Sequence, residues 1–178
     1  MRVELVSETQ HESLIDLLCE LHAYYNASST VPRDVVREHL LENLLGAQSP
    51  HRLIVASTDN GVVGLAAITV VYSLVDPVVD KRKHCHLKEL YVRSSGRSQG
   101  IGRALMSWVA QYAFENGCCR IDWPVKASNA RGMAFYESLG AEQVVDRLSY
   151  RLSEPRMSQL ANASQGTKRC SHDSLPFF

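Results

Sequence analysis

Between Leu87 and Leu105 the hydrophobic period of the chain changes, and a glycine-containing basic loop sits at the change. Leu87-Lys88-Glu89-Leu90-Tyr91-Val92 reads as a strand ending at Val92, with Ser94-Ser95-Gly96 as a breaker. Ile101, Leu105, Val109, Tyr112 and Ala113 then fall on one helical face, and Gly117 stops that helix. Between the two lies Arg97-Ser98-Gln99-Gly100-Ile101-Gly102-Arg103. The first N–H groups of a helix lack intrahelical partners, and its dipole makes that end positive. Glycines clear side chains from the approach and two arginines add charge, so the stretch can cradle a phosphate or pyrophosphate. The glycines alone equally suit an ordinary strand-to-helix turn. Neither Gly-x-x-x-x-Gly-Lys-Ser/Thr nor the third glycine of a dinucleotide fingerprint is present.

The rest of the chain supplies a frame for this unit. Arg2 to Val6 alternates as an opening strand, and His11 to Asn26 carries Leu14, Leu17, Leu18, Leu21 and Tyr25 on one helical face. Pro32 opens a second helix that stops at Gly46. His51 to Thr58 and Val62 to Tyr72 are strands around the hairpin signal Asp59-Asn60-Gly61. The stretch from Ser73 to Lys83 is a solvated loop, and His84 begins the strand that ends at Val92. Cys119 to Val125 is expected as a strand, Asn129 to Leu139 as a short helix ended by Gly140, and Gln143–Val145 and Arg147–Leu152 as the last strands.

A chain of 178 residues suits one domain, and 45% hydrophobic with 21% charged residues is the composition of a globular protein. The domain is expected over residues 1–153. Residues 154–178 are read as a polar tail, mobile or loosely docked, ending in Phe177-Phe178. Nineteen basic residues balance nineteen acidic ones, so no global charge draws the chain to nucleic acid or an acidic membrane. Five cysteines without framework spacing point to reduced thiols and a cytoplasmic setting. The polar N-terminus is not that of a signal peptide, and the apolar run from Val62 to Val75 is too short to span a bilayer.

The Arg97 to Gly102 loop resembles the Arg/Gln-x-x-Gly-x-Gly/Ala loop of the GNAT superfamily of acetyl-CoA-dependent N-acetyltransferases. Asn129-Ala130-Arg131-Gly132-Met133-Ala134-Phe135-Tyr136-Glu137-Ser138-Leu139-Gly140-Ala141 resembles that family's downstream Asn-x-x-Ala-x-x-Phe-Tyr-x-x-x-Gly-Phe/Ala element. Gly132 stands where many members have Ala. The likeness is tight from Leu87 to Ala141, and it looks most like the diamine, polyamine and thialysine branch.

The resemblance implies an α/β fold, with a mixed, mostly antiparallel central sheet and helices on both faces. It implies acetyl transfer from acetyl-CoA to a primary amine of a small molecule by direct attack in a ternary complex, and a homodimer. Leu90, Tyr91 and Val92 would offer backbone groups from a bulged strand to the acetyl carbonyl and pantetheine. Arg97, Ser98, Gln99, Gly100, Ile101, Gly102 and Arg103 would hold the pyrophosphate. Asn129 would lie near the cofactor or cap its helix, and Tyr136 would protonate the leaving thiolate.

The base stays open. Period-two counting puts His84, His86, Lys88 and Leu90 on one strand face and Cys85, Leu87, Glu89 and Tyr91 on the other. His86 is the first choice, because a histidine is the side chain type suited to proton transfer at physiological pH, with Glu89 second. Lys88 stands where polyamine-type relatives have Glu. Tyr24, Tyr25 and Asn26, with Lys88, are candidate acceptor contacts. No second ligand pair joins His84 and His86 at zinc spacing, so no metal is expected. Other acceptors (an aminoglycoside, an amino acid, a protein amine) and a non-catalytic acetyl-CoA-binding role are the alternatives.

Overall fold

The computed structural model describes residues 1–26 and 29–166. The chain forms two compact units, the first ending at Phe135 and the second beginning at Tyr136.

The first unit is built on one sheet of five strands in spatial order β1 (Arg2–Leu5), β2 (Arg52–Thr58), β3 (Gly61–Tyr72), β4 (Lys83–Val92) and β5 (Ile121–Asp122). Neighbours are antiparallel except β4 and β5, which run parallel. Asp59-Asn60 turns β2 into β3, as the hairpin signal predicts.

Alternation along the strands sorts the core into two faces. Leu53 and Val55 of β2, Leu65 and Ala67 of β3 and Tyr91 of β4 share a core with Leu14, Ile15 and Leu17 of α1 (His11–Tyr25). Val36 and Leu40 join the same core from α2 (Arg33–Glu38) and the π-turn His39–Leu44 that continues it. The β3 residues between these point the other way. A Cβ on Gly64 would stand 3.0 Å from Ile101 and 3.1 Å from Leu105, which puts α3 (Ile101–Glu115) on that second face. Helices therefore cover both sides of a mostly antiparallel sheet, the architecture expected from the sequence.

Polar groups fix α1 and α2. The Val62 N–H donates to Ser13 Oγ at 2.7 Å, tying α1 to the start of β3. Arg33 reaches Asp16 at 2.8 Å and Glu12 at 2.9 Å, and Arg37 also pairs with Glu12, which clamps α2 to α1. These pairs are exposed and set the angle of α2 more than they stabilise it.

Of the expected strands, one shortens and two do not form. The strand read over Cys119 to Val125 shortens to Ile121–Asp122, paired with Cys85 and His86 alone. Gln143–Val145 and Arg147–Leu152 form no strand in the second unit, and Val145, Leu148 and Tyr150 are exposed there. A strand is made by its partner, and alternation in one segment does not supply one.

The second unit takes over at the end of α4 (Ala130–Glu137), where the Tyr136 carbonyl accepts the N–H groups of Leu139 and Ala141. It closes in α5 (Arg156–Gly166), inside the segment expected as a tail. Residues 167–178, including Phe177-Phe178, lie outside the described residues.

Candidate functional site

The register between β3 and β4 breaks at one place. Leu87 faces Ile68 and Glu89 faces Ala67, so Lys88 has no residue opposite it and forms a β-bulge. One inserted residue reverses the inside–outside parity of everything after it. Before the bulge, His84 and His86 lie opposite Val71 and Thr69, on the α1 side. After it, Glu89 and Tyr91 lie opposite Ala67 and Leu65, on that same side. The period-two assignment of Glu89 and Tyr91 to the far face is thus corrected, and so is that of Leu90, which faces α3 opposite Ala66.

The bulge opens onto a cavity of about 410 Å³ between the sheet and the helices α1 and α2. Leu53 and Leu65 form its floor, while Leu18, Leu21 and Val35 are among its walls. Lys88 and Glu89 both reach it, as do Tyr25 and three histidines, His22, His39 and His51. Glu89 is the one carboxylate among the residues that line it. The π-turn helps make this space: Leu45 N–H bonds to the Leu40 carbonyl at 2.9 Å, a wide turn that keeps Leu40 in the core and leaves Leu44 and His39 at the cavity.

Burial pushes the Glu89 carboxyl above its ordinary value. The Leu90 N–H at 3.2 Å, the Tyr25 hydroxyl at 3.3 Å and the charge of Lys126 pull the other way without cancelling that effect. Lys126 Nζ also stands 5.0 Å from the centre of the Tyr25 ring. Glu89 is therefore a partly desolvated carboxylate at the head of a largely apolar cavity, with a higher proton affinity than an exposed carboxylate, as suits a proton acceptor.

The far edge of β4 is open beside it. β5 pairs with β4 only at Cys85 and His86, so from Leu87 to Val92 that edge has no neighbouring strand among the described residues. After Val92 the chain is pinned by Glu20 of α1, whose carboxylate accepts from Tyr91 OH at 2.9 Å and Ser94 N–H at 3.3 Å and lies 3.5 Å from Arg93. Arg97 donates to the Val92 carbonyl at 3.1 Å, and its guanidinium lies 5.6 Å from the ring centres of both Tyr24 and Tyr91. Gln99 bonds to the Ser95 carbonyl, and Ser98, at φ 63°, receives Arg131 at 3.1 Å. Gly100 caps α3 with φ 80°, a conformation that favours glycine. The first intrahelical bond of α3 runs from Ala104 to Gly100, so the N–H groups of Ile101 and Gly102 lie ahead of it. Nothing stands within 4 Å of where a Gly100 Cβ would project, and the approach to those donors is clear on that side. This end of the site fits a diphosphate.

The sequence-based candidates divide. Glu89, Lys88 and Tyr25 meet at the cavity. His86 sits on the cavity side of the sheet but does not line the cavity. Tyr24 instead stacks near Tyr91, with ring centres 5.8 Å apart, and supports Arg97. Asn26 turns back on its own helix, its amide donating to the His22 carbonyl at 3.1 Å. Asn129 caps α4, its Oδ1 accepting the Gly132 N–H at 2.9 Å. A Cβ at position 132 would lie 2.4 Å from that same amide, so an alanine there would require the Asn129 side chain to shift. Tyr136 is half-buried and belongs to the second unit.

His84, His86 and Asp122 have ligand atoms within 4.8 Å of one another, with no cysteine among them. The cluster is already engaged by protein. His84 Nε2 donates to the Lys81 carbonyl at 3.0 Å, Arg120 donates to its Nδ1 at 3.2 Å, and Arg120 also pairs with Asp122 at 2.7 Å.

A family model described as the acetyltransferase (GNAT) family matches residues 15–141. The chain belongs to that family. The GNAT match spans both cavity and loop. Among curated relatives, a thialysine N-epsilon-acetyltransferase of Bos taurus is 33% identical over 66 residues, 37% of this chain and 39% of that protein. A ribosomal protein bS18-alanine N-acetyltransferase of Escherichia coli is 33% identical over 93 residues, 52% of this chain and 57% of that protein. The matched stretches thus span about half the length of these curated relatives or less. Among solved structures, an integron cassette protein from the mobile metagenome of V. cholerae superposes with a TM-score of 0.82 at 26% identity, covering 90% of this chain and 96% of that one.

Sequence reasoning missed Lys126, Glu20 and the three cavity histidines, which converge only through the fold. The bulge did leave a trace. Lys88-Glu89 puts two charges side by side between Leu87 and Leu90, which breaks strict alternation.

Proposed function

We propose that this protein is an N-acetyltransferase that moves the acetyl group of acetyl-CoA to a primary amine of a small molecule, by direct attack in a ternary complex. The observation that carries the reading is the bulge at Lys88. It turns a partly desolvated carboxylate, Glu89, into an acceptor-sized cavity, next to a strand edge that no neighbour covers.

Each task in the reaction has a residue. The backbone donors of Ile101 and Gly102, with Gln99, Gly100 and Arg103, hold the diphosphate of the substrate at the positive end of α3. Arg97 acts from a fixed position, braced by Tyr24 and Tyr91, and keeps the loop in shape. Acetyl-CoA brings the activated acyl group as a thioester. Glu89 takes the proton from the acceptor ammonium and frees its lone pair. Backbone N–H groups of the open β4 edge, around Leu90 to Val92, face the negative charge that builds on the acetyl oxygen. As the N–C bond forms and the C–S bond breaks, the departing sulfur takes a proton, the role that the family resemblance implies for the phenol of Tyr136. A phenol with a pKa of ~10 keeps that proton at neutral pH.

Glu89 replaces His86 as the preferred base because it lines the cavity and His86 does not. The site needs no metal in this scheme. A homodimer and a cytoplasmic setting complete the proposal. No helix among the described residues is long and apolar enough to cross a membrane.

The test is thiol release from acetyl-CoA over a panel of amines, with calorimetry of CoA binding beside it. Saturable binding and amine-dependent release support the reading. Binding that survives with no release from any amine supports the non-catalytic alternative instead.

A further inference from the structure

We propose that the acceptor is a free α-amino acid with an apolar side chain, read as a zwitterion by the bulge. Glu89 takes its α-ammonium, Lys88 its α-carboxylate, and the cavity its side chain. This rests on the acetyltransferase reading above and narrows its acceptor.

The argument begins with the parity of β4. In a regular strand, neighbours 88 and 89 would project to opposite faces. The unpaired Lys88 removes that separation, and both side chains reach the same cavity. Opposite charges are thereby set one residue apart at its head, the arrangement that complements an ammonium and a carboxylate on one carbon. Lys88 is exposed and, among the described residues, takes part in none of the ion pairs. Its charge is open to a ligand. Lys126 adds a second cation near Glu89.

The other acceptor classes fit less well. A diamine or polyamine brings at least two ammonium groups. The cavity lining offers one carboxylate, so the second cation would meet Lys88 or an apolar wall. An aminoglycoside would bury many hydroxyls against a lining that is mostly leucine, valine and alanine, with fewer polar side chains than hydroxyls to meet them. A peptide N-terminus has the ammonium and the side chain but carries an amide where Lys88 wants a carboxylate. A cavity of about 410 Å³ walled by Leu18, Leu21, Val35, Leu53 and Leu65 suits a leucine- or phenylalanine-sized side chain.

The products are an N-acetyl amino acid and the free thiol of CoA. One C–N bond is made and one C–S bond is broken; of the two protons the nitrogen loses, the first leaves through Glu89 to solvent and the second replaces the proton given to the departing thiolate.

The experiment compares kcat/KM for L-leucine, L-phenylalanine, their amides, isoamylamine, putrescine and spermidine, in the unsubstituted chain and in Lys88→Gln and Lys88→Arg. A charge-assisted contact to the carboxylate makes each amino acid about ten- to a hundred-fold better than its amide. Lys88→Gln collapses that ratio toward one, and Lys88→Arg restores most of it. Amides or isoamylamine turned over as fast as the amino acids, a ratio unmoved by Lys88→Gln, or a preference for spermidine would each overturn the inference while leaving the acetyltransferase reading intact. Failure of every amine to release thiol would overturn both.

Discussion

The two faces of the sheet use the same kind of residue for different ends. On the α3 face, Ile54, Ile68, Cys85 and Leu87 of the strands and Leu105 and Val109 of the helix are buried, and Gly64 lets α3 approach to near contact. On the α1 face, Leu14, Ile15 and Leu17 pack as tightly at one end, but the core then gives way to a cavity with a carboxylate, a lysine and three histidines. One face is scaffold and the other is site. The difference is made by a single inserted residue in β4, which keeps Leu90 and Val92 on the α3 side while delivering Glu89 to the cavity. Function here costs the sheet one register step.

This contrast can be broken at either face. Glu89→Gln is expected to lower kcat/KM by about 10² to 10⁴, the usual worth of a general base. Its effect on stability has the opposite sign. A carboxyl whose folded pKa is raised binds its proton more tightly in the folded state, so its stabilising effect is fully present below the unfolded pKa and lost as pH rises through the folded one. Above that folded pKa the carboxylate is a burden to the fold, and there Glu89→Gln should melt at the same or a higher temperature. A lower melting temperature would make Glu89 structural. Leu105→Ala on the scaffold face should do the reverse, costing about 2–5 kcal/mol in denaturant unfolding with kcat/KM per folded molecule kept.

Smaller effects sharpen the picture. Gly100→Ala, at φ 80°, should cost about 1–2 kcal/mol and weaken CoA in calorimetry, because strain falls at the helix end that meets the diphosphate. Asn129→Ala should cost about 1 kcal/mol through loss of the α4 cap. Tyr25→Phe removes a hydroxyl that favours the ionised Glu89, so the acid limb of the rate profile should move to higher pH. A limb that stays in place would separate Tyr25 from the base.

Much of the scaffold was readable in the chain because it follows period and punctuation. The strands up to Val92 and the helices α1 and α3 are long and strongly periodic, and Asp59-Asn60 and Gly117 mark turns by local chemistry. The loop from Arg97 to Gly102 was legible for the same reason. The weaker points share a cause: each depends on a partner. The strand over Cys119 to Val125 shrinks to two residues because β4 pairs with no more of it, and the alternating segment from Gln143 to Leu152 has no ladder. The bulge is likewise a property of the β3–β4 register, and without it Glu89 falls on the wrong face. Tyr24 and Asn26 were placed near the right helix end, but their ring stacking and helix-end bond are tertiary facts.

The most direct test is the pH dependence of kcat/KM for acetyl transfer in the unsubstituted protein, His86→Gln and Glu89→Gln. The bulge at Lys88 predicts that His86→Gln keeps the acid limb, which lies above the ordinary carboxylate value of 4.5, and that Glu89→Gln loses it along with most of the rate. An acid limb that vanishes in His86→Gln and persists in Glu89→Gln would contradict the assignment.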